Sequence, residues 1–530
     1  MNVMKNKGKL KNKSAKILKK SKNGIVRSVF SRFGFVVLLF LLQIVLIFIG
    51  FAVFEENMPR VYAAISAISV IMLLFLINSR MDPSAMITWI LLIMAFPVFG
   101  GMLYAFVKSD VGHRALRDRI ERINRNTCDF INHHDGVLSD LKKENENAAS
   151  LAGYIRSKGC HPIYRTDDVA YFPSGEAKLE SVLCELEKAE KYIFLEYFII
   201  AEGEMWEKVL EILKRKAADG VDVRIMYDGT CEFTTLPHSY PDRMKSFGIK
   251  CKPFAPITPF LSTHYNYRDH RKILVIDGKC AYTGGINFAD EYINIKSKYG
   301  HWKDTAVMVK GEAAISFALM FLKMWAINEK KENYEYIHKE QLSSDSRCGG
   351  YVVPYSDCPL DGDKVGERVY VDILNRSSRY VHIMTPYLIL DAVTENALKF
   401  AAERGVDVSI ILPGIPDKKV PYALAITHYK ALLEAGVKIY EYTPGFVHAK
   451  VFVCDDNEAV VGTVNLDYRS LYHHFECGLY MYNTSCISDI EKDFEYTKKL
   501  CSQVTLQTIK KAKLSRKILG FLMKAIAPLL

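Results

Sequence analysis

The fold is decided by a stretch that the chain contains twice: HRKILVID at residues 270–277 and HAKVFVCD at residues 448–455. Both copies read H-x-K-x4-D. After six further residues each copy continues with a Gly-x-x-Asn, at 284–287 in the first and at 462–465 in the second, so each Asn lies 17 positions beyond its His. Two matched His/Lys/Asn sets in one chain predict a single shared active site.

The four apolar residues between each Lys and Asp predict a β-strand, in which residues two apart share a face. The His and the Lys of each copy therefore point together. An imidazole with an unperturbed pKa of about 6.5 can attack phosphorus or move a proton near neutral pH, and a neighbouring ammonium stabilises phosphate oxygens. The Asn, beyond a glycine turn, adds a neutral donor. Asp277 and Asp455 lie on the opposite face, which suits a structural ion pair better than catalysis.

One copy supplies only one histidine. Phosphodiester exchange through a covalent intermediate needs both a nucleophile and an acid for the leaving alcohol. An isolated His-x-Lys on a strand is usually an ordinary surface or core feature. Two copies with the same Asp and Asn offsets favour the functional interpretation.

The segments around the two motifs repeat the same order of elements. A helix containing residues 179–186 precedes a strand at 192–198, and a helix at 365–376 precedes a strand at 380–384. Strands that alternate with helices imply βαβ units. The predicted fold class is therefore α/β, with two fused α/β/α repeats that share one active site. We place the repeats at residues 159–341 and 360–505, joined by a linker at 342–359 that begins with Ser and Gly residues.

Composition and charge narrow the class of protein. The 530 residues suffice for two or three domains, and a hydrophobic content of 49% excludes a disordered chain. The net charge is +10, and residues 1–32 hold eleven Lys or Arg and no acidic residue. This basic tail is predicted to be disordered and, like the basic C-terminus, to favour anionic partners, either lipid headgroups or nucleic acid.

Twelve cysteines occur without a C-x-x-C pair or zinc-ligand spacing, which argues against structural zinc. Mostly reduced thiols on the cytoplasmic side are the favoured interpretation, and disulfides stay open.

Three apolar runs follow the tail, at residues 33–54, 61–77 and 85–107. A helix needs about 20 apolar residues to cross a bilayer, so the first and third runs qualify as transmembrane helices and the second is at the short limit. A cleaved signal peptide fits poorly, because no small-x-small site follows the first run. Basic residues flank the three runs at both ends, and basic flanks tend to lie on the cytoplasmic side. Three full crossings would place the two ends on opposite sides of the membrane, so both flanks could not be cytoplasmic. Either one run is re-entrant or interfacial, or one basic flank is outside. We favour a multi-pass protein of the cell membrane with a cytoplasmic catalytic region.

Two further segments flank the repeats. Residues 108–158 are predicted to be a charged, helical juxtamembrane connector. Residues 506–530 mix six basic residues with apolar ones and predict an interfacial amphipathic helix. The alternative is a soluble helix packed on its own domain.

At these residues the sequence resembles the phospholipase D superfamily, whose signature is a duplicated H-x-K-x4-D followed by G-x-x-N, and within it the bacterial cardiolipin synthases. The likeness extends over residues 80–530. Besides the two motifs, it is carried by short segments at 82–84, 97–100, 195–197, 302–304, 385–387, 412–413, 416–418, 465–470 and 475–476.

The resemblance implies a phosphatidyl transfer that needs neither cofactor nor metal. His270 is the expected nucleophile toward the phosphorus of one phosphatidylglycerol, and glycerol leaves with a proton from His448. A second phosphatidylglycerol, deprotonated by His448, then resolves the phosphohistidine to give cardiolipin. The resemblance also supplies an acid that orients each histidine. The complete candidate site is catalytic His270, Lys272, Asp277, His448, Lys450 and Asp455, phosphate-binding Asn287 and Asn465, and histidine-orienting Asp304 and Glu476.

Two features depart from the family pattern. An additional apolar run and the basic tail precede the part that matches, and Gly462-Thr463 stands where Gly-Ser or Gly-Gly is more familiar. The second is interpreted as a tolerated change.

Three other functions compete with the synthase. A membrane-bound phospholipase D hydrolase would share the phosphohistidine and differ only in the acceptor. A membrane-tethered nuclease would tolerate the basic charge, but the positive residues lie beside apolar segments and are not interleaved with aromatic ones, so we expect no nucleic acid. A non-catalytic membrane scaffold is the third, and the intact histidines oppose it. The expected partners are phosphatidylglycerol, cardiolipin and anionic membrane lipids, and the oligomeric state stays open.

Overall fold

A computed structural model describes residues 38–41, 43–45, 58–79, 81–108, 111–130, 135–166, 168–256, 267–329, 334, 336, 349–511 and 513–529. These residues fall into two compact units, one within residues 1–115 and the other within residues 116–528. The predicted basic tail lies outside the described residues. So do most of the first apolar run and the first part of the predicted linker.

The N-terminal unit includes the helices α1 (Met58–Ile77), α2 (Pro83–Ala95) and α3 (Pro97–Lys108). The apolar run predicted at 85–107 is therefore divided. Pro97 has no N–H to donate to a continuing helix and restricts the backbone of the preceding Phe96, which ends α2.

These helices share a small core and leave much apolar surface outside it. Leu76, Trp89 and Ile93 are buried together, whereas Ile71 and Phe75 are 66% and 64% exposed. Among the residues that the structure describes, no helix combines the length and the apolar content that a bilayer crossing requires. The predicted transmembrane helices are therefore not confirmed.

The predicted connector is a set of ordered helices. They are α4 (Val111–Thr127), a 3-10 turn (Cys128–Phe130), α5 (Asp135–Glu144) and α6 (Glu146–Gly159). Helix α6 buries Leu151, Ala152 and Ile155 in the core of the second repeat, so this segment belongs to the folded body.

A disulfide joins Cys128 to Cys160, with their Cα atoms 5.5 Å apart. Nine other described cysteines are free thiols, while Cys348 lies outside the described residues. The sequence left disulfides open, and this pair forms one, while most of the described cysteines are free thiols.

The first repeat forms a seven-stranded sheet in the order β2-β10-β8-β7-β3-β4-β5. In chain order its elements are β1 (Tyr164–Arg165), β2 (Val169–Phe172), α7 (Gly175–Leu186), β3 (Tyr192–Tyr197), α8 (Glu204–Ala218), β4 (Asp222–Asp228), α9 (Cys231–Thr234), α10 (Tyr240–Ser246), β5 (Lys250–Phe254), β6 (Arg268–Asp269), β7 (Lys272–Ile276), β8 (Cys280–Gly284), a 3-10 turn (Asp290–Ile293), β9 (His301–Lys303), β10 (Ala306–Lys310) and α11 (Ala313–Ala326).

The second repeat continues with β11 (Tyr351–Asp357), α12 (Val365–Arg376), β12 (Tyr380–Met384), α13 (Ala392–Glu403), β13 (Asp407–Pro413), α14 (Lys419–Glu434), β14 (Lys438–Tyr442), β15 (Gly445–Val447), β16 (Val451–Cys454), β17 (Glu458–Gly462), α15 (Tyr468–Tyr472), β18 (His474–Tyr482), α16 (Ile487–Lys499), β19 (Cys501–Gln503), α17 (Leu506–Lys511), α18 (Leu514–Lys524) and a 3-10 turn (Ala527–Leu529). Its sheet has the central order β11-β18-β17-β16-β12-β13-β14, with β1 and β19 at the edges and β6 beside β18.

The two central orders correspond strand by strand, from β2 and β11 at one side to β5 and β14 at the other. This correspondence confirms the duplicated α/β fold. The strands predicted inside the two motifs are β7 and β16. Helix α11 joins the two halves, because Phe317 packs in one cluster with Val275 of the first sheet and Val453 of the second.

The predicted linker is wrong over its second half. Strand β11 lies inside it and pairs with β18 from Tyr351↔Tyr482 to Asp357↔Glu476. Pro354 and the nearby Ser and Gly residues conceal this strand in the sequence, although its residues are almost all buried.

Each motif ends in an aspartate with a left-handed backbone, at φ 53° for Asp277 and φ 51° for Asp455. Asp277 accepts hydrogen bonds of 2.8 Å from the three backbone amides of residues 190–192, at the start of β3. Asp455 accepts the equivalent bonds from residues 378–380, ahead of β12.

The position of these two aspartates corrects the candidate catalytic set. Seven residues of extended chain span roughly 20 Å, so each Asp is far from the His of its own motif. These contacts agree with the structural role predicted from their face. Their partners, however, are mainly backbone N–H groups, not the cation of an ion pair.

We expect Asp277→Ala to lower the thermal unfolding midpoint more than Asp455→Ala. Asp277 is only 3% exposed, and its loss leaves three amides without their partner, at a cost of about 1–3 kcal/mol for each one that water cannot reach. Two of the equivalent amides at Asp455 are exposed, so water can replace the carboxylate. Circular dichroism during heating measures the midpoints, with Asp277→Asn as a control that keeps an acceptor. Equal midpoints for the two alanine variants would contradict this assignment.

Candidate active site

The two motifs are placed by strands that cross between the repeats. β9 of the first repeat pairs in parallel with β15 of the second, and β6 pairs in parallel with the start of β18. The register continues into the site, because the amide of His270 donates to the carbonyl of Phe475 at 2.9 Å and the amide of His448 donates to that of Lys303 at 2.7 Å. The backbone of each motif is thus fixed by the opposite repeat.

The histidine side chains, like the backbone of each motif, contact the opposite repeat. Nδ1 of His270 lies 2.9 and 3.0 Å from the two carboxylate oxygens of Glu476, and Nδ1 of His448 lies 2.7 Å from Oδ2 of Asp304. A carboxylate accepts, so Nδ1 carries the proton and Nε2 keeps the lone pair in the neutral ring. The structure therefore places both predicted orienting acids in contact with the histidines, each acid coming from the other repeat.

Both histidines are almost completely buried, at 6% exposure for His270 and 8% for His448. Burial disfavours the imidazolium and lowers the pKa of each well below its ordinary value. The charge of Glu476 opposes this shift at His270, while the charges of Lys450 and Lys272 add to it at His448. Lys272 belongs to the first motif and His448 to the second, so the two motifs lie close enough for the charge of one to act on the other.

The two acids differ in protonation. Burial raises the pKa of Asp304 to about 7, although Lys450 and the amide of Thr305 oppose the change. Burial also acts on Glu476, but its contacts with His270 and His474 hold its pKa well below the ordinary value. The pair of Asp304 and His448 therefore holds a proton near neutral pH, whereas Glu476 is ionised.

The motif lysines are buried beside their histidines, and each Nζ donates to the backbone carbonyl of the histidine two positions earlier. Burial lowers the pKa of Lys272 to about 8 and that of Lys450 to about 7, against the nearby charges of Glu476 and Asp304. A bound anion would oppose this shift and favour the charged form of both lysines, which suits a phosphate site.

The two asparagines are buried but differently engaged. Asn287 accepts from the amide of Ile199 at 3.0 Å and donates to the hydroxyl of Tyr292 at 2.6 Å. Nδ2 of Asn465 lies 3.3 Å from Asp467, and its Oδ1 has no hydrogen-bond partner within the described part of the chain. Asn465 is thus the less committed amide.

Several neighbours of the histidines were not predicted. Phe198 and His474 flank His270, with ring centroids 5.0 and 5.4 Å away, and Nδ1 of His474 lies 3.6 Å from Glu476. His474 is two residues before Glu476 on one strand and so shares its face, which is the signal that the sequence offered.

Lys178 on α7 is a third buried lysine of the site. Its Nζ donates to the carbonyl of Ile286 at 3.0 Å and to the hydroxyl of Tyr197 at 3.2 Å, and burial lowers its pKa to about 7. The signal was a lysine four residues before Val182 on the apolar face of a predicted helix.

Thr463 explains one departure from the family pattern. Its hydroxyl donates to the carboxylate of Glu476. The corresponding residue of the first motif is Gly285, where an added Cβ would come within 2.0 Å of Asp304. The two positions therefore support different acids.

Three groups here have metal-ligand chemistry, since His270, His474 and Glu476 offer ligand atoms within 4.8 Å of one another. His270 and Glu476 already hydrogen-bond each other, whereas Nδ1 of His474 has no hydrogen-bond partner within the described part of the chain.

Comparison with known families agrees with the duplicated architecture. Residues 182–325 and 370–498 match the family described as cardiolipin synthase, PLD-like domain. Residues 67–108 match the family described as phospholipase D-nuclease N-terminal.

Similar proteins extend over most of the chain. An uncharacterised protein of Streptococcus mutans is 55% identical over 458 residues, which cover 86% of this chain and 99% of that protein. A cardiolipin synthase of a Geobacillus species is 31% identical over 467 residues, covering 87% and 92%. A cardiolipin synthase of Halalkalibacterium halodurans is 29% identical over 505 residues, covering 92% and 93%.

A solved structure shows the same fold. The crystal structure of phosphatidylserine synthase from Haemophilus influenzae matches with a TM-score of 0.55 at 16% identity, over 73% of this chain and 98% of that one. The resemblance drawn from the motifs is confirmed by the match to both repeats and by relatives aligned along nearly their whole length. The chain belongs to the cardiolipin synthase family of the phospholipase D superfamily.

Proposed function

We propose that this protein is a cardiolipin synthase, which transfers a phosphatidyl group between two phosphatidylglycerol molecules and releases glycerol. The observation that carries the proposal is the pair of buried histidines, each held at Nδ1 by a carboxylate of the opposite repeat. The synthases that align at 29–31% identity support an alcohol as the acceptor.

In the first step, Nε2 of His270 attacks the phosphorus of one phosphatidylglycerol. The N–P bond forms, the P–O bond to glycerol breaks, and the glycerol oxygen takes a proton from His448. The negative phosphodiester favours the protonated form of His448, and Asp304 holds the ring in place. Ionised Glu476 stabilises the positive charge that His270 acquires as its nitrogen becomes phosphorylated.

In the second step, the hydroxyl of another phosphatidylglycerol gives its proton to His448 and attacks the phosphorus. The new P–O bond forms and the N–P bond breaks, which yields cardiolipin and returns His270 to its neutral state. Lys272, Lys450 and Lys178 neutralise the phosphoryl oxygens in both steps, and Asn465 offers a neutral donor. This chemistry places the enzyme at the cell membrane, and a cytoplasmic catalytic region stays a prediction.

The products of phosphatidylglycerol test this proposal. Purified full-length protein in mixed micelles is expected to form cardiolipin and glycerol, measured by mass spectrometry. His270→Ala should lose roughly a thousandfold or more in turnover, because no nucleophile remains. His238→Ala is the matched control, since that side chain is 69% exposed and pairs with Glu232. Phosphatidic acid as the main product would show a hydrolase instead.

Variants of Glu476 and Asp304, the acids that each hold a histidine of the opposite repeat, give a second test. Glu476→Gln and Asp304→Asn each remove the carboxylate that fixes a histidine of the other repeat, and we expect kcat to fall by roughly a hundredfold to ten-thousandfold with a small change in KM. Asp304→Asn should also remove an ionisation near pH 7 from the pH profile of kcat/KM, because burial raises the pKa of Asp304 to about 7 in the free enzyme. Asp489→Asn, at an exposed position, serves as a control. An unchanged kcat in Glu476→Gln would refute the pairing as a catalytic arrangement.

The buried lysines predict how anion affinity changes with pH. In the empty site the pKa of Lys450 and of Lys178 is about 7, and a bound anion raises it toward the ordinary value. Binding above about pH 7 therefore takes up protons, so affinity falls as pH rises. Sulfate is a suitable probe because its charge is constant between about pH 6 and 9. Calorimetry in buffers of different ionisation enthalpy measures the uptake, which Lys450→Met should reduce. Proton release on binding would contradict the assignment.

A further inference from the structure

The exposed side of helix α18 is apolar and is surrounded by positive charge. Leu514, Ile518, Phe521 and Leu522 are 71%, 50%, 77% and 60% exposed, and their spacing places them on one face of the helix. We call these four residues the α18 face. Residues 506–530 contain six Lys or Arg and no acidic residue. Large apolar side chains grouped on a surface mark an interaction site.

The opposite side of α18 is fixed on the second repeat. Gly520 lies so close to α14 that an added Cβ would be 2.4 Å from the carbonyl of Ala423, and Met523 packs against Leu424 and Tyr468. The alternative of a soluble helix packed on its own domain accounts for this inner side. It leaves the α18 face unexplained.

Helix α18 packs on elements next to Lys418 and Asn465, which we call the rim of the active site. The part of α14 that packs against Gly520 lies about 8–14 Å from Lys418 along the helix axis. The charge of Lys418 lowers the pKa of His448. Tyr468, which contacts the cluster of Met523, follows Asn465 by three residues. In the C-terminal turn the backbone carbonyl of Pro528 accepts a hydrogen bond from the imidazole of His473, and the next residue along the chain, His474, flanks His270.

We propose that the α18 face docks into the surface of an anionic lipid bilayer and holds the rim of the active site against the headgroups. The six basic residues, with no acidic residue among them, favour anionic lipid, because each basic residue near such a surface contributes about 1 kcal/mol to the free energy of binding. The apolar side chains enter the boundary between the headgroups and the acyl chains. The proposal rests on the proposed function in taking the substrate from the same bilayer.

Site-specific photocrosslinking tests the docking directly. The full-length protein carries p-benzoylphenylalanine in place of Phe521 and is illuminated with vesicles of phosphatidylglycerol or of phosphatidylcholine. We expect lipid adducts at position 521, several-fold more with phosphatidylglycerol. The matched control carries the same photoreactive residue in place of Phe233, which is 60% exposed on α9, and should give few adducts. Adducts only with another copy of the chain, or equal lipid adducts at both positions, would overturn the proposal.

Turnover measurements distinguish a role of the α18 face in docking from a role in the catalytic steps. Phe521→Ser is expected to reduce activity toward phosphatidylglycerol in vesicles about tenfold, since burying a phenylalanine contributes an effect of that order, and to leave activity in mixed micelles unchanged. Phe233→Ser should change neither. Equal activity of Phe521→Ser and wild type on vesicles would refute the docking role. Failure of the wild type to make cardiolipin in micelles would instead refute the proposed function, and the crosslinking result would still stand by itself.

Discussion

The hydrogen bond between a histidine of one repeat and a carboxylate of the other is the constraint on which the site depends. Glu476 reaches His270 and Asp304 reaches His448 because β6 and β9 leave their own sheet and pair with strands of the other repeat. Neither repeat contains an oriented histidine by itself. Errors in docking the two sheets would therefore act directly on the reacting groups, and the shared packing around Phe317 holds the sheets in register.

Duplication supplies two equal motifs, but the surroundings make them unequal. Glu476 has a longer side chain than Asp304, accepts a hydrogen bond from the hydroxyl of Thr463 and lies close to His474 as well as His270. These contacts keep Glu476 ionised. Asp304 is equally buried but faces Gly285, and burial raises its pKa to about 7. An ionised acid suits the histidine that becomes positively charged, and an acid that shares a proton suits the histidine that transfers one. The unequal roles follow from these contacts and not from the motifs themselves.

The features that could be predicted from the sequence are those with a regular or repeated local pattern. Spacing within HRKILVID and HAKVFVCD predicted the two strands and the common face of each His and Lys, and the echoed helices predicted the duplication. Partners from distant segments were out of reach. Nothing near Asp277 in the chain points to the amides of residues 190–192, and nothing near Cys128 points to Cys160. Strand β11 was missed because Pro354 and adjacent Ser and Gly residues outweighed its apolar positions. The two acids entered only through the family resemblance, and their exchange between repeats is a property of the folded chain.

Burial of the reacting groups sets a condition on how a lipid can use this site. The histidines are less than one-tenth exposed, and they share the site with lysines whose pKa is lowered to about 7 by burial. On the proposed function, only the headgroup needs to enter, because the phosphodiester carries the charge that completes the site, while the acyl chains gain nothing from a polar interior. The rim must then lie close to the bilayer, within the length of one glycerophosphate group. The proposed docking of the α18 face would supply such a contact, since its apolar side chains are exposed while Gly520 and Met523 pack against the second repeat.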